Sequence, residues 1–339
     1  MNGELMAAEM AEQPRVLAGL VARADELRAV VGRVGPRQLT GVTLVARGSS
    51  ACAALFGRYV LEVATGRPVS EAAPSLHTLY NTRVDYSGQL VVAMSQSGET
   101  PEIVAVTERL AAAGASTIAI TNGVDSPLAQ VATGVFALDA GIERSVPATK
   151  TVTAELLALA LLASALGLVG FAAGDVQSLP DTVESLLSDT GGSADLARSL
   201  RHAESLLVVA RGYLLPAALE LALKLEETCR LAVVAYSAAE LRHGHIASIG
   251  PGTPALVMSV PGPAAADVAS LRAELAALGA LTYRVDESDE AAMRLPAGTP
   301  EVLSVVPAVI RAQQLALALA LSRGYDPDAP TGLSKVTLT

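Results

Sequence analysis

Tryptophan is absent from this 339-residue chain, and aromatic residues make up only 3% of it. Proteins that bind single strands by stacking bases need such rings, so that mode is excluded. Charge is scarce too, at 17% of residues, and the balance is −10. No window concentrates Lys and Arg, so neither nucleic acid nor an anionic membrane surface is an expected partner. An anionic ligand has to be held by local donors, because the overall field repels it. The two cysteines, Cys52 and Cys229, lie far apart and form no CxxC, which fits a reduced, cytoplasmic protein. The acidic start MNGELMAAEMAEQP has no apolar core, so no signal peptide is expected.

What is plentiful is apolar residues, at 51%, enough for a large core in two domains of ordinary size. Residues 156–174, LLALALLASALGLVGFAAG, run without a charge, near the length that spans a bilayer. Their flanks, Glu155 and Asp175, show no Lys/Arg bias, and nothing comparable is read elsewhere in the chain. The expectation is a helix buried all round in a core or a subunit interface.

A pattern occurs twice. VTLVARGS at 42–49 and LLVVARGY at 206–213 each join a β-rich run to a helical one through Ala-Arg-Gly. LVVAMS (90–95), STIAIT (116–121) and GVFALD (134–139) follow the first copy, ALVMSV (255–260) and ALTYRV (280–285) the second. Helical spacers such as PEIVAVTERLAAAG separate the runs, which indicates parallel sheets covered on both faces. The repeat predicts an α/β protein of two tandem flavodoxin-like, doubly wound domains with an extended C-terminal tail. The expected boundaries are an N-terminal helical segment (1–30), a first domain (31–177), a linker with a short helix (178–199), a second domain (200–325) and a tail (326–339).

At SQSGET (95–100) an apolar run stops at hydroxyls, an amide and a glycine before Pro101 opens a helix. One reading is a polar turn with Thr100 as N-cap. The other is an anion cradle, since a helix N-terminus offers free N–H groups and partial positive charge. Ligands of such sheets bind beyond the carboxyl ends of the strands, where Gly48, Ser49, Ser50 and this loop would sit side by side.

Of 24 basic residues only three are lysines, Lys150, Lys224 and Lys335. A lysine kept where arginine is the habit points to use as an amine, which guanidinium cannot replace. Lys224 shares a helix face with Glu220 and Glu227, for which a solvated ion ladder is the plain reading. Glu240, His243 and His245 are a conceivable metal set, but they lack zinc-type spacing and a further ligand, so no metal is assigned. No cofactor is expected.

Together these motifs resemble the sugar isomerase (SIS) superfamily, specifically the isomerase half of the glucosamine-6-phosphate synthases. The matches are EQP (12–14), RGSS (47–50), SQSGET (95–100), ATK (148–150), ALELALKLEE (218–227), AYSAAELRHG (235–244) and LSKVT (333–337), in the family's order. Without the synthase's glutaminase domain, the build is most similar to the SIS-type glucosamine-6-phosphate deaminases. The resemblance implies that Gly48, Ser49, Ser50, Ser95, Gln96, Ser97 and Thr100 bind the phosphate and nearby hydroxyls of a hexose 6-phosphate. It makes Glu227 the base moving a proton between C1 and C2, and His243 the ring-opening histidine, supplied by a neighbouring subunit of a homodimer or higher even oligomer. Lys335 matches a lysine that forms an imine with the sugar, and Lys224 one lining the pocket near the base. Two departures stand out: Ala148 replaces a serine of the family's Ser-Thr-Lys loop, and His245 replaces a proline.

The expected activity is deamination of glucosamine 6-phosphate to fructose 6-phosphate and ammonia. The same base could instead expel the 3-hydroxyl of an N-acetylated substrate, as a lyase or dehydratase. A phosphosugar-sensing module is the non-enzymatic alternative.

Overall fold

The computed structural model describes residues 2–335, and the part of the expected tail beyond Lys335 lies outside them. The chain forms two compact units. One holds Arg15–Glu143, Lys150–Ala172 and the chain from Ser334; the other holds the chain up to Pro14, Arg144–Thr149 and Ala173–Leu333.

In the first unit the strands are β1 (Gly41–Val45), β2 (Val69–Glu71), β3 (Gln89–Ser95), β4 (Ser116–Thr121) and β5 (Gly134–Ala137). All pair in parallel, in the order β2-β1-β3-β4-β5. The second unit repeats this with β6 (Ser205–Ala210), β7 (Ala232–Ser237), β8 (Pro254–Met258), β9 (Leu281–Asp286) and β10 (Met293–Arg294), ordered β10-β9-β8-β6-β7. Counted from the first strand of each unit, both orders read 2-1-3-4-5, the flavodoxin-like arrangement. The Ala-Arg-Gly repeat thus marks a duplicated α/β unit.

Parallel sheets are covered on both faces, so their strands read as continuous apolar runs. Every residue of β1 is buried, and Val91 and Ala93 of β3 pack with Ile103, Val106 and Leu110 of the Pro101–Ala112 helix. In the second unit Leu207, Val209 and Val257 meet Val268, Leu271 and Leu275 of the Ala265–Ala277 helix. Burying side chains of this size contributes about 1.5–3 kcal/mol each.

The apolar run at 156–174 is not one helix. Its first part closes the Lys150–Leu166 helix, whose residues from Lys150 to Ala163 are all buried. The helix stops at Gly167, where a Cβ would lie 1.8 Å from the Ala64 carbonyl oxygen. The run also has a counterpart that the sequence reading missed. Among the described residues Val305–Ser322 is the one helix long and apolar enough to cross a membrane, and 78% of it is buried within the protein. Its polar members disguised it: Arg311, 2% exposed, donates to the Arg294 carbonyl (2.8 Å) and to Asp189 (2.7 Å). Residues 178–199, expected as a linker with one short helix, carry most of two helices, Ala173–Ser188 and Gly191–Leu200. Strands β2, β7 and β10 were not foreseen either.

Candidate functional site

In the first unit, Gly48–Ser50 and the 95–100 loop follow β1 and β3, neighbouring strands at the point where the sheet order reverses. Gly98 has φ +68°, and a Cβ there would fall 2.1 Å from Ser126 Oγ, so only glycine fits the turn. The loop is pinned from β4's side. The Asn122 N–H donates to the Gln96 carbonyl (3.1 Å) and the Leu128 N–H to that of Gly98 (3.1 Å). Ser95 Oγ accepts from the Gly98 N–H (3.1 Å) and Ser97 Oγ from the Glu99 N–H (3.2 Å). Thr100 does occupy the N-cap position, but its hydroxyl makes no capping bond. Its hydroxyl is therefore not used by its own helix, and the plain turn reading does not account for it. Gly48 has φ +56° and leads into the Ser49–Thr65 helix.

Ser50 behaves differently from the others. Its buried hydroxyl donates to Glu155 Oε1 at 2.8 Å. The proton is thereby directed at a carboxylate, which leaves the oxygen's lone pairs for anything else. Arg47, beside Gly48, pairs with Glu102 in the first turn of the Pro101–Ala112 helix (2.7 Å), so its charge is already met.

Lys335 belongs to this unit and stands 2.9 Å from Glu143 Oε2, whose side chain is fully buried. Glu143 also accepts from the Thr151 N–H (3.2 Å) and hydroxyl (2.7 Å). Nothing in the sequence around Glu143 singles it out. Lys150 is buried, and its ammonium donates to the Ile142 carbonyl (2.7 Å).

In the second unit Lys224 and Glu227 lie near the end of the Leu215–Cys229 helix. The solvated ladder is not what forms. Lys224 and Glu220 are both 0% exposed, because the helix packs on Val305–Ser322. Lys224 Nζ lies 2.5 Å from Glu227 and 3.6 Å from Glu220. Glu227 opens on a cavity of about 560 Å³ that Glu226, Arg230, Tyr325 and Thr331 also line. Burial, and then the charge of Glu227, push the Glu226 carboxyl above the usual range.

Arg230, absent from the sequence reading, takes a left-handed backbone (φ +48°) just after the helix. Its guanidinium donates to Thr331 Oγ1 (2.8 Å) and sits 5.1 Å from the centre of the Tyr325 ring. His243 is exposed, and it is not among the residues lining the Glu227 cavity. His245 stacks on Tyr236, with ring centres 4.1 Å apart. Among the described residues, Glu240, His243 and His245 form no group that could hold a metal.

The arrangement offers two chemistries: a donor-rich loop at a helix N-terminus, suited to an anion, and a lysine-backed carboxylate suited to proton transfer. Among known proteins, the glutamine–fructose-6-phosphate aminotransferase of Methanothermobacter thermautotrophicus is 30% identical over 338 residues, covering 97% of this chain and 56% of the relative. The chain thus spans about half the length of the curated relatives it matches. A Silicibacter pomeroyi protein provisionally named a phosphosugar isomerase shares 29% identity and superposes with a TM-score of 0.80, covering 97% of this chain and 100% of that one. The Thermotoga maritima glucosamine-6-phosphate deaminase, 23% identical, shares the fold with a TM-score of 0.78 over 99% of this chain and 100% of its own. A family model described as the SIS domain matches residues 41–165 and 199–295, one stretch in each half, and the chain accordingly belongs to the SIS-domain family.

Proposed function

We propose that the protein is an amino-sugar phosphate isomerase that deaminates a hexosamine 6-phosphate, converting glucosamine 6-phosphate to fructose 6-phosphate and ammonia. The observation that carries this reading is the Glu227 carboxylate, backed at 2.5 Å by a fully buried lysine and open to a cavity. The buried ammonium gives the carboxylate a close, charge-assisted partner, an arrangement suited to moving a proton at carbon. In support at the other end of the substrate, the Ser97 and Thr100 hydroxyls, set at a helix N-terminus, suit a phosphate dianion in a protein of net negative charge.

The steps follow from proton accounting. After the sugar ring opens, Glu227 removes the C2 proton, and the electron pair moves toward the C1 carbonyl to give an enolamine. Return of the proton at C1 leaves an imine at C2. Water adds to that carbon and ammonia departs, leaving the ketose phosphate. Lys335 as a neutral amine can first displace ammonia at C2, provided that it leaves Glu143 and loses its proton. His243, exposed and outside the Glu227 cavity lining, fits delivery of the ring-opening group to a neighbouring subunit's site.

Incubation with glucosamine 6-phosphate, and separately with its N-acetyl form, tests the reading when products are identified by mass. Ammonia and a ketose phosphate are expected from the first. Loss of water from the N-acetyl sugar alone would replace deamination by a lyase reaction using the same base. Turnover of neither would leave the site a phosphosugar sensor and overturn the reading.

A further inference from the structure

The duplication allows the units to be compared position by position. Arg47 and Arg211 each come from an Ala-Arg-Gly after the first strand, and each pairs with an acid in the helix after the third. For Arg47 the partner is Glu102, and for Arg211 it is Asp267 of the Ala265–Ala277 helix. The counterpart of the 95–100 loop is therefore Ser259-Val260-Pro261-Gly262-Pro263-Ala264. It has a single hydroxyl, and its two prolines donate no N–H, so it cannot form a second phosphate cradle of the first kind.

Beside that loop, at the carboxyl ends of β8 and β9, lies a cavity of about 310 Å³. Val257, Val260, Pro261 and Val268 give it apolar walls, and Arg272, Arg284, Asp286 and Glu287 add charge. Arg284 is engaged by Asp286 (2.6 Å) and Glu290 (3.0 Å). Arg272 is not engaged. Half-buried, it makes no ion pair or hydrogen bond among the described residues, although Arg211, Arg242, Arg294 and Arg311 of the same unit all pair with acids. Arg272 thus lines the cavity with its fork of donors uncommitted, and that fork matches a carboxylate or phosphate. Sheets of this order take their ligands at the strand ends where the cavity lies, and its volume falls in the range of small-ligand pockets.

We propose that this cavity is a second ligand site, separate from the cradle and from Glu227, for a small hydroxylated organic anion. The anionic head meets Arg272, the carbon skeleton lies on the valine and proline surface, and the hydroxyls face the rim carboxylates Asp286 and Glu287. Those carboxylates disfavour a bare inorganic ion and favour a ligand that brings its own donors. The proposal does not depend on the deaminase reading.

Glycerol 3-phosphate and glycerate, which carry the two kinds of head on a similar skeleton, are the probes. Titration calorimetry on the full chain with Ser97→Ala and Thr100→Val removes cradle donors and leaves this site intact. One of the two probes is expected to bind that variant at one per chain, and which one binds identifies the head. Adding Arg272→Gln should weaken binding by about 10- to 100-fold, the range for losing a charged hydrogen-bonded contact. Arg272→Lys should recover part of it, and both variants should keep the parent's denaturation midpoint. Absence of binding by either probe, or binding indifferent to Arg272→Gln, overturns the proposal. An unaltered affinity of the cradle variant for glucosamine 6-phosphate would count instead against the phosphosugar reading.

Discussion

Replacing Lys335 separates what its charge does from what its amine does. The Lys335–Glu143 contact is short (2.9 Å), with the carboxylate fully buried and the lysine side chain 22% exposed. An exposed ion pair contributes about 0–1 kcal/mol, whereas breaking a fully buried one costs about 3–5 kcal/mol. This pair falls between those limits. Lys335→Met leaves Glu143 with its two Thr151 hydrogen bonds, which moderates the loss, so about 1–2 kcal/mol is expected. In urea unfolding of the wild type, Lys335→Met, Glu143→Gln and the double variant, the coupling should be at least ~1 kcal/mol. Lys335→Arg should stay near wild type in stability, because a guanidinium keeps the pair. It should nevertheless lose at least about 100-fold in kcat, or ~2.7 kcal/mol on the barrier, because it offers no nucleophilic amine. An arginine variant with near-normal turnover refutes the chemical role. A coupling indistinguishable from zero refutes the pair.

Two further outcomes are open to measurement. Arg230 holds a left-handed backbone that costs a non-glycine residue about 1 kcal/mol, so Arg230→Gly should be more stable than Arg230→Ala by about that much. Both changes should speed tryptic cleavage after Lys335 by freeing Thr331, and an alanine variant at least as stable as the glycine one would contradict the strain argument. Burial raises the Glu301 carboxyl above its ordinary range. The folded state therefore binds that proton more tightly than the unfolded one, and stability falls as pH rises from the ordinary carboxylate value through the raised one. Glu301→Gln should raise Tm at neutral pH and lose that advantage near pH ~4, so an equal gain at both would exclude titration as its cause.

The duplicated fold was legible because Ala-Arg-Gly recurs in the same place relative to apolar runs of strand length. The strand–helix junction at 95–100 was legible because a glycine and hydroxyls interrupt an apolar run just before a proline that opens a helix. Other features depend on partners far apart in the chain. Lys224 and Glu220 look like a solvated ladder until the Val305–Ser322 helix covers them. Glu143 is one acid in a loop until the lysine 192 residues later reaches it. Strands β2 and β10, of 3 and 2 residues, are too short for any periodicity to show. Gly167 ends an apolar run that hydropathy alone carries onward, because the obstacle is the Ala64 carbonyl rather than a polar side chain.

The equivalent helices after β1 and β6 carry their polar chemistry at opposite ends, and the helix dipole explains what each end requires. Ser49 and Ser50 open the first helix, where the partial charge is positive and an anion is stabilised without any cation. Glu227 lies in the last turn of the second, Leu215–Cys229, where the partial charge is negative and a carboxylate is disfavoured. The Glu226 carboxyl beside it is pushed upward by burial and then by the charge of Glu227. A carboxylate in that position gains from a local cation, and Lys224, one turn earlier and fully buried, lies 2.5 Å from it. The lysine's burial is then part of its role, since a solvated ammonium would be screened and much weaker. On this argument the Lys224–Glu227 pair offsets the charge at this helix end whatever the cavity takes.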